Sequence, residues 1–261
     1  MSLVITADAE QICVAIAQFP ANYHRDYENV RGLAAAYLAS PNRENTRALA
    51  QMLTRVLRDW GAGRRRAAFV QKMDVLQTSL QAPELHERLR YFADLSVEGL
   101  SIRGGRRAVN GQQSHEALGI FDARLHAVLD QLSAGIFVGN TNVTYPMKTL
   151  MLLTGFMPAF DSQVRSGLDN AGFMGMNATQ FLLPEDSAGA NARKISRLPF
   201  YLGNCYNQYR ELLKGAVARS PQPRLTRDPG RLFDVLFFMQ GRKDSARLLS
   251  FEPESRWYAL P

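Results

Sequence analysis

Residues 114–135, SHEALGIFDARLHAVLDQLSAG, decide the fold class. Ser114 can accept from the free amides of a first helical turn, and Leu118, Phe121, Leu125, Val128, Leu129 and Leu132 recur every three or four residues. That spacing gathers them on one face and predicts a long amphipathic helix ending before Gly135.

The same punctuation recurs outward in both directions. Towards the N-terminus, Thr6 as a cap with Asp8 and Glu10 in the first turn opens a helix through Ile12, Ala15, Ile16 and Phe19, stopped by Pro20. Further helices are expected over 28–39, over 43–60 up to Gly61 and Gly63, over 64–80, and over 83–95 with Pro83 in the first turn. Towards the C-terminus, Pro146 opens an apolar helix over 147–154 that Gly155 closes, and Asp161 caps a helix to Leu168. Helices over 188–197, 199–217 and from Asp228-Pro229 to Gly241 complete the set, whereas FMGMNATQFLLPEDS reads as irregular. Alternating patterns are nearly absent, Ile136 to Val138 being the one plausible extended piece. The expected fold is therefore all-α, a bundle of ten or so helices. SIRGGRRAVNGQQ, residues 101–113, reads as an exposed loop and hinge between two helical lobes, 1–100 and 114–261; one continuous domain is the alternative.

Composition narrows the function classes. Of 261 residues, 46% are hydrophobic and 21% charged, which fits a packed core rather than a disordered chain. No apolar run approaches the roughly 20 residues of a membrane span, so no membrane partner is expected. The opening MSLVITADAEQICVAIAQFP has no basic residue ahead of its apolar stretch and carries Asp8 and Glu10, unlike a secretory signal. Cys13 and Cys205 read as two buried thiols, and a cytoplasmic protein is expected. The net charge is +7, from 31 Lys plus Arg against 24 Asp plus Glu, which favours polyanionic partners.

Gly-x-Ser-x-Gly, Gly-x-x-x-x-Gly-Lys, dinucleotide and Cys-x-x-Cys motifs are absent, and no cofactor is expected. Asp122 and His126 share a helical face, with His115 and Glu116 a little upstream, but nothing marks a second helix to complete a metal site. His24 and His86 show no evident partners. Two arginine clusters are the candidate nucleic-acid contacts. Arg64, Arg65 and Arg66 follow Gly61 and Gly63 at an expected helix start, where amides and dipole favour an anion. Arg103, Arg106 and Arg107 flank Gly104-Gly105 in the expected loop. The competing reading of both is a solvated basic surface without a ligand.

The segment 144–168, TYPMKTLMLLTGFMPAFDSQVRSGL, resembles a pattern of uncharacterised bacterial all-helical proteins: Tyr145-Pro146-x-Lys148, an apolar helix, Pro158, then Phe160-Asp161-x-x-Val164. Tyr206-x-x-Tyr209 and RLFDVLFFMQGR, 231–242, extend the resemblance over about the C-terminal half. That family implies a helical fold and no particular activity. Around Lys148 and Asp161 the chain is also distantly similar to helix-hairpin-helix DNA glycosylases. The similarity implies a lysine nucleophile attacking a sugar anomeric carbon while the aspartate stabilises developing positive charge. Two features depart from it: Lys148 and Asp161 are only 13 residues apart, and GNTNVTYPM replaces the glycine-rich hairpin. The plain alternative makes Asp161 a helix cap and leaves Lys148 solvated or ion-paired. The function expected is nucleic-acid association through basic loops; the competitors are a DNA-processing enzyme using Lys148 and Asp161 and a basic scaffold that binds proteins.

Overall fold

The structure, a computed structural model, describes residues 1–64, 67–139, 141, 143–175, 190–243 and 245–253. Within them lie eleven α-helices: α1 (Ala9–Gln18), α2 (Ala21–Ala39), α3 (Arg43–Asp59), α4 (Met73–Gln81), α5 (Pro83–Leu95), α6 (His115–Ile136), α7 (Thr144–Thr154), α8 (Ser162–Asn170), α9 (Ala190–Gln208), α10 (Arg210–Arg219) and α11 (Pro229–Gln240). Three two-stranded antiparallel ribbons accompany them. β1 (Ser2–Ile5) pairs with β6 (Leu249–Glu252), β2 (Phe69–Val70) with β5 (Phe137–Val138), and β3 (Leu100–Arg103) with β4 (Arg106–Val109). The fold is mostly helical, and all-α overstates it. No described helix is long and apolar enough to cross a membrane.

Local chemistry explains several helix ends. Ser114 accepts from the amide of Ala117 at 3.1 Å and starts α6 as expected. α1 starts later than expected, because Asp8, not Thr6, is its cap: Asp8 accepts from the Gln11 amide at 2.8 Å and the Gln11 side chain accepts from the Asp8 amide at 2.9 Å. Gly155 closes α7 at φ +69°, a left-handed conformation that a glycine enters without strain. The expected break at Pro199 does not occur. Pro199 lies inside α9, where buried Leu198, Phe200 and Leu202 hold the helix together despite the missing amide.

The segment expected as a hinge is instead the β3–β4 hairpin. Leu100, Ile102, Ala108 and Val109 are buried, and Gly104 (φ +55°) and Gly105 (φ +75°) supply the two left-handed residues of a tight hairpin turn. The alternation Leu-Ser-Ile-Arg carried that strand, masked by the glycines and arginines beside it. The irregular stretch beyond Gly175 lies outside the described residues.

α7 sits at the centre, with every residue from Pro146 to Thr154 buried. Around it one hydrophobic cluster runs from Leu3 to Phe251, so the two segments expected as lobes share a core. α8 and α11 cross most closely: a Cβ at Gly167 would fall on the Phe237 carbonyl, and one at Gly241 on that of Gln163.

Candidate functional site

The first arginine cluster does not stand at a helix start. After α3 the chain turns through Gly61 (φ +104°) and Gly63 (φ +77°), and the next helix, α4, begins only at Met73. An aromatic and β-branched pair, Phe69-Val70, forms a strand in between. Arg64 is exposed in this turn, whose neck is closed by the Gly63 amide donating to the Ala68 carbonyl at 2.9 Å. Arg65 and Arg66 lie outside the described residues.

Against the same turn lies the Lys148–Asp161 pair. Lys148 Nζ is 3.6 Å from Asp161 Oδ2, with the lysine side chain 9% exposed and the carboxylate 24%. The ammonium also donates to the Trp60 carbonyl at 3.4 Å and lies 5.5 Å from the centre of the Tyr145 ring. Asp161 Oδ1 accepts from the amides of Gln163 (3.1 Å) and Val164 (3.0 Å) and so caps α8. One carboxylate thus orders a helix end with one oxygen and holds the lysine with the other. Nearby, Arg165 donates to the Phe160 carbonyl at 2.7 Å and to Thr144 Oγ1 at 3.1 Å, fastening α8 to the start of α7. Burial and the Asp161 carboxylate raise the Tyr145 hydroxyl above the ordinary tyrosine range, with Arg64 pulling the other way.

Beneath the pair is a polar cluster that the sequence reading missed. Arg231, 1% exposed, forms an ion pair with Asp234 one turn along α11 and faces the rings of Phe19 and Tyr27, each 4.9 Å away. Asp234 also accepts from the Ala159 amide at 2.8 Å. Burial pushes its carboxyl up to about 6, with Asp161 adding to the rise and Arg231 opposing it. Tyr27 donates to Asp228 at 2.7 Å, and Arg31 reaches both Asp228 (3.1 Å) and the Leu153 carbonyl (2.8 Å). A cleft of about 360 Å³ opens here, lined by His24, Tyr27, Arg31, Arg227 and Asp228 among others. His24 is lowered to about 4, by burial first and then by Arg231. The available signal was a charged pair three residues apart inside the apolar run RLFDVLF.

The second arginine cluster divides. Arg107 is not a free phosphate contact: it makes a bidentate pair with Asp122, both distances 2.7 Å, and its guanidinium lies 5.1 Å from the Phe200 ring centre. A fork matched to a carboxylate and half-enclosed by an aromatic face is already satisfied. Arg103 and Arg106 stay exposed at the hairpin tip. Asp122 lies near the start of α6, while the Ile136 carbonyl at its end accepts from Gln71, just after β2. The hairpin and the Arg64 turn therefore sit towards opposite ends of α6, about 20 Å apart along its axis at 1.5 Å per residue.

Asp122 is thus committed to Arg107, and His126 Nε2 is 3.2 Å from Ser196 Oγ. Among the described residues no group of three or more His, Cys, Asp or Glu could hold a metal ion. His86 approaches the Leu38 carbonyl at 3.1 Å, a packing role. Comparison with protein-family models, with curated proteins and with solved structures gives no match.

Proposed function

We propose that the chain binds nucleic acid through two exposed basic turns, Arg64 and the Arg103–Arg106 hairpin tip, and that Lys148 and Asp161 join α7 to α8 rather than perform chemistry. One observation supports this most. Arg31, Arg107 and Arg231 are each neutralised by a carboxylate, whereas Arg64, Arg103 and Arg106 are exposed with no carboxylate of the described residues within ion-pairing distance. Uncompensated surface arginines on a chain of net charge +7 suit phosphate contacts. The reading carries a cytoplasmic setting with it, where thiols such as Cys13 and Cys205 stay reduced.

The test is a titration of DNA and RNA at two salt concentrations. Charge reversal of Arg103 and Arg106 together is expected to weaken binding and to lower the salt slope by about 2, near one unit for each phosphate no longer neutralised. Binding with an unchanged slope removes the hairpin from the reading. Absence of binding at low salt leaves the protein-binding scaffold.

The 3.6 Å contact favours a second reading, in which Lys148, once deprotonated, attacks the anomeric carbon of a nucleotide and Asp161 steadies the positive charge developing on the sugar. The bond from that carbon to the base breaks, and the base leaves with the bonding pair and takes up a proton. Burial of the amine and its bond to the Trp60 carbonyl weigh against it. Borohydride trapping of an adduct on damaged duplex, lost in Lys148→Met, would establish it.

A further inference from the structure

Beside the Arg64 turn lies an apolar surface that the basic residues do not account for. Phe69 and Val138 are directly opposed in the β2–β5 ribbon and so share one face. They are 61% and 50% exposed, while Phe137 on the other face is buried. The Phe69 ring leans on Gly63, where a Cβ would meet it at 3.1 Å. Because the Gly63–Ala68 hydrogen bond closes the loop, Arg64 and Phe69 leave its neck from adjacent points. An exposed aromatic ring and an exposed arginine thereby stand five residues apart on one closed turn.

We propose that Phe69, with Val138 beside it, is a stacking platform for an unpaired base of single-stranded nucleic acid whose backbone phosphate is met by Arg64. The inference rests on the nucleic-acid reading above and deepens it by naming the strand form. Charge complementarity chooses the occupant: an aromatic next to an uncompensated cation suits a polyanion that carries π-faces. A duplex keeps those faces stacked within itself, so the surface distinguishes single strands. A bare ring face offers no base-edge hydrogen bonds and selects no sequence.

The experiment is an anisotropy titration of one mixed-sequence labelled strand and its duplex with the wild type, Phe69→Ala, Phe69→Trp and Arg64→Glu. Phe69→Ala is expected to weaken single-strand binding by about tenfold, within the range of one base–aromatic stack, with the salt slope unchanged. Phe69→Trp retains affinity, and its indole fluorescence is quenched as strand is added. Arg64→Glu weakens both forms and lowers the slope by about 1. Salt-dependent binding by the wild type with no effect of Phe69→Ala overturns the platform and leaves the broader reading standing. Failure of the wild type to bind either form overturns both. A wild-type dimer seen by sedimentation without nucleic acid and abolished by Phe69→Ala makes the surface a self-association face, which also overturns the proposal.

Discussion

Asp161 does two jobs with two oxygens, and its variants separate them. Asp161→Ala removes the α8 cap and strands the buried Lys148 ammonium, so it is expected to cost about 2–4 kcal/mol in urea unfolding. Asp161→Asn retains a capping oxygen and is expected to cost less. Lys148→Met is expected to cost under about 1 kcal/mol, because a volume-matched apolar group replaces a buried charge and the carboxylate keeps its two amide donors. A larger loss for Lys148→Met than for Asp161→Ala would refute this division of labour. The capping role was legible because it depends on residues two and three positions away. The Lys148 pairing was open to either reading, since it needs the loop 155–160 to fold back. The Arg107–Asp122 pair was hidden for the same kind of reason: the carboxylate is 15 residues along the chain and faces Arg107 only once the hairpin has formed.

Helix packing turns on what lies opposite a side chain, and two glycines make the contrast measurable. Gly167 in α8 has no room for a Cβ because the α11 backbone occupies the space, whereas Gly119 in α6 faces open space. Gly167→Ala is expected to destabilise by about 3 kcal/mol or more, as overpacking against backbone cannot relax cheaply. Gly119→Ala is expected to stabilise by about 0.5–1 kcal/mol through helix propensity alone. Both are read from denaturation midpoints at constant slope. The starts of α5 and α6 were readable because their signals are local: Pro83 in one first turn, the Ser114 cap of the other and a helical period in both. The stop before Gly135 was not, since α6 runs on through it to Ile136. The ribbons were mostly not. β2 has two residues and a partner nearly 70 positions later, so pairing rather than propensity makes it a strand. Missing β2 also placed Arg64 at a helix start that does not exist.

For the molecule as a whole, the buried cluster around Arg231 sets a pH dependence with two opposed parts. His24 is held near 4 by burial and by Arg231, below its ordinary 6.5. Between those values the unfolded chain takes up a proton that the folded chain refuses, so this contribution to stability falls as pH drops from about 6.5 to 4. Asp234, raised by burial from 3.8 to about 6, has the reverse sign: the folded chain takes the proton first, and stability from this group rises as pH falls through the same window. Relative to the wild type, His24→Gln is expected to gain stability on acidification from pH 7 to 4.5, and Asp234→Asn to lose it. Urea midpoints at the two pH values check both; equal shifts in the two variants would contradict the assignment. The β1–β6 ribbon joins residues 2–5 to residues 249–252. β1 therefore waits for about 245 further residues to be made before its partner exists. At about 5–20 residues per second that delay is roughly 12–50 s, during which Leu3 and Ile5 stay without their mates and are open to chaperones.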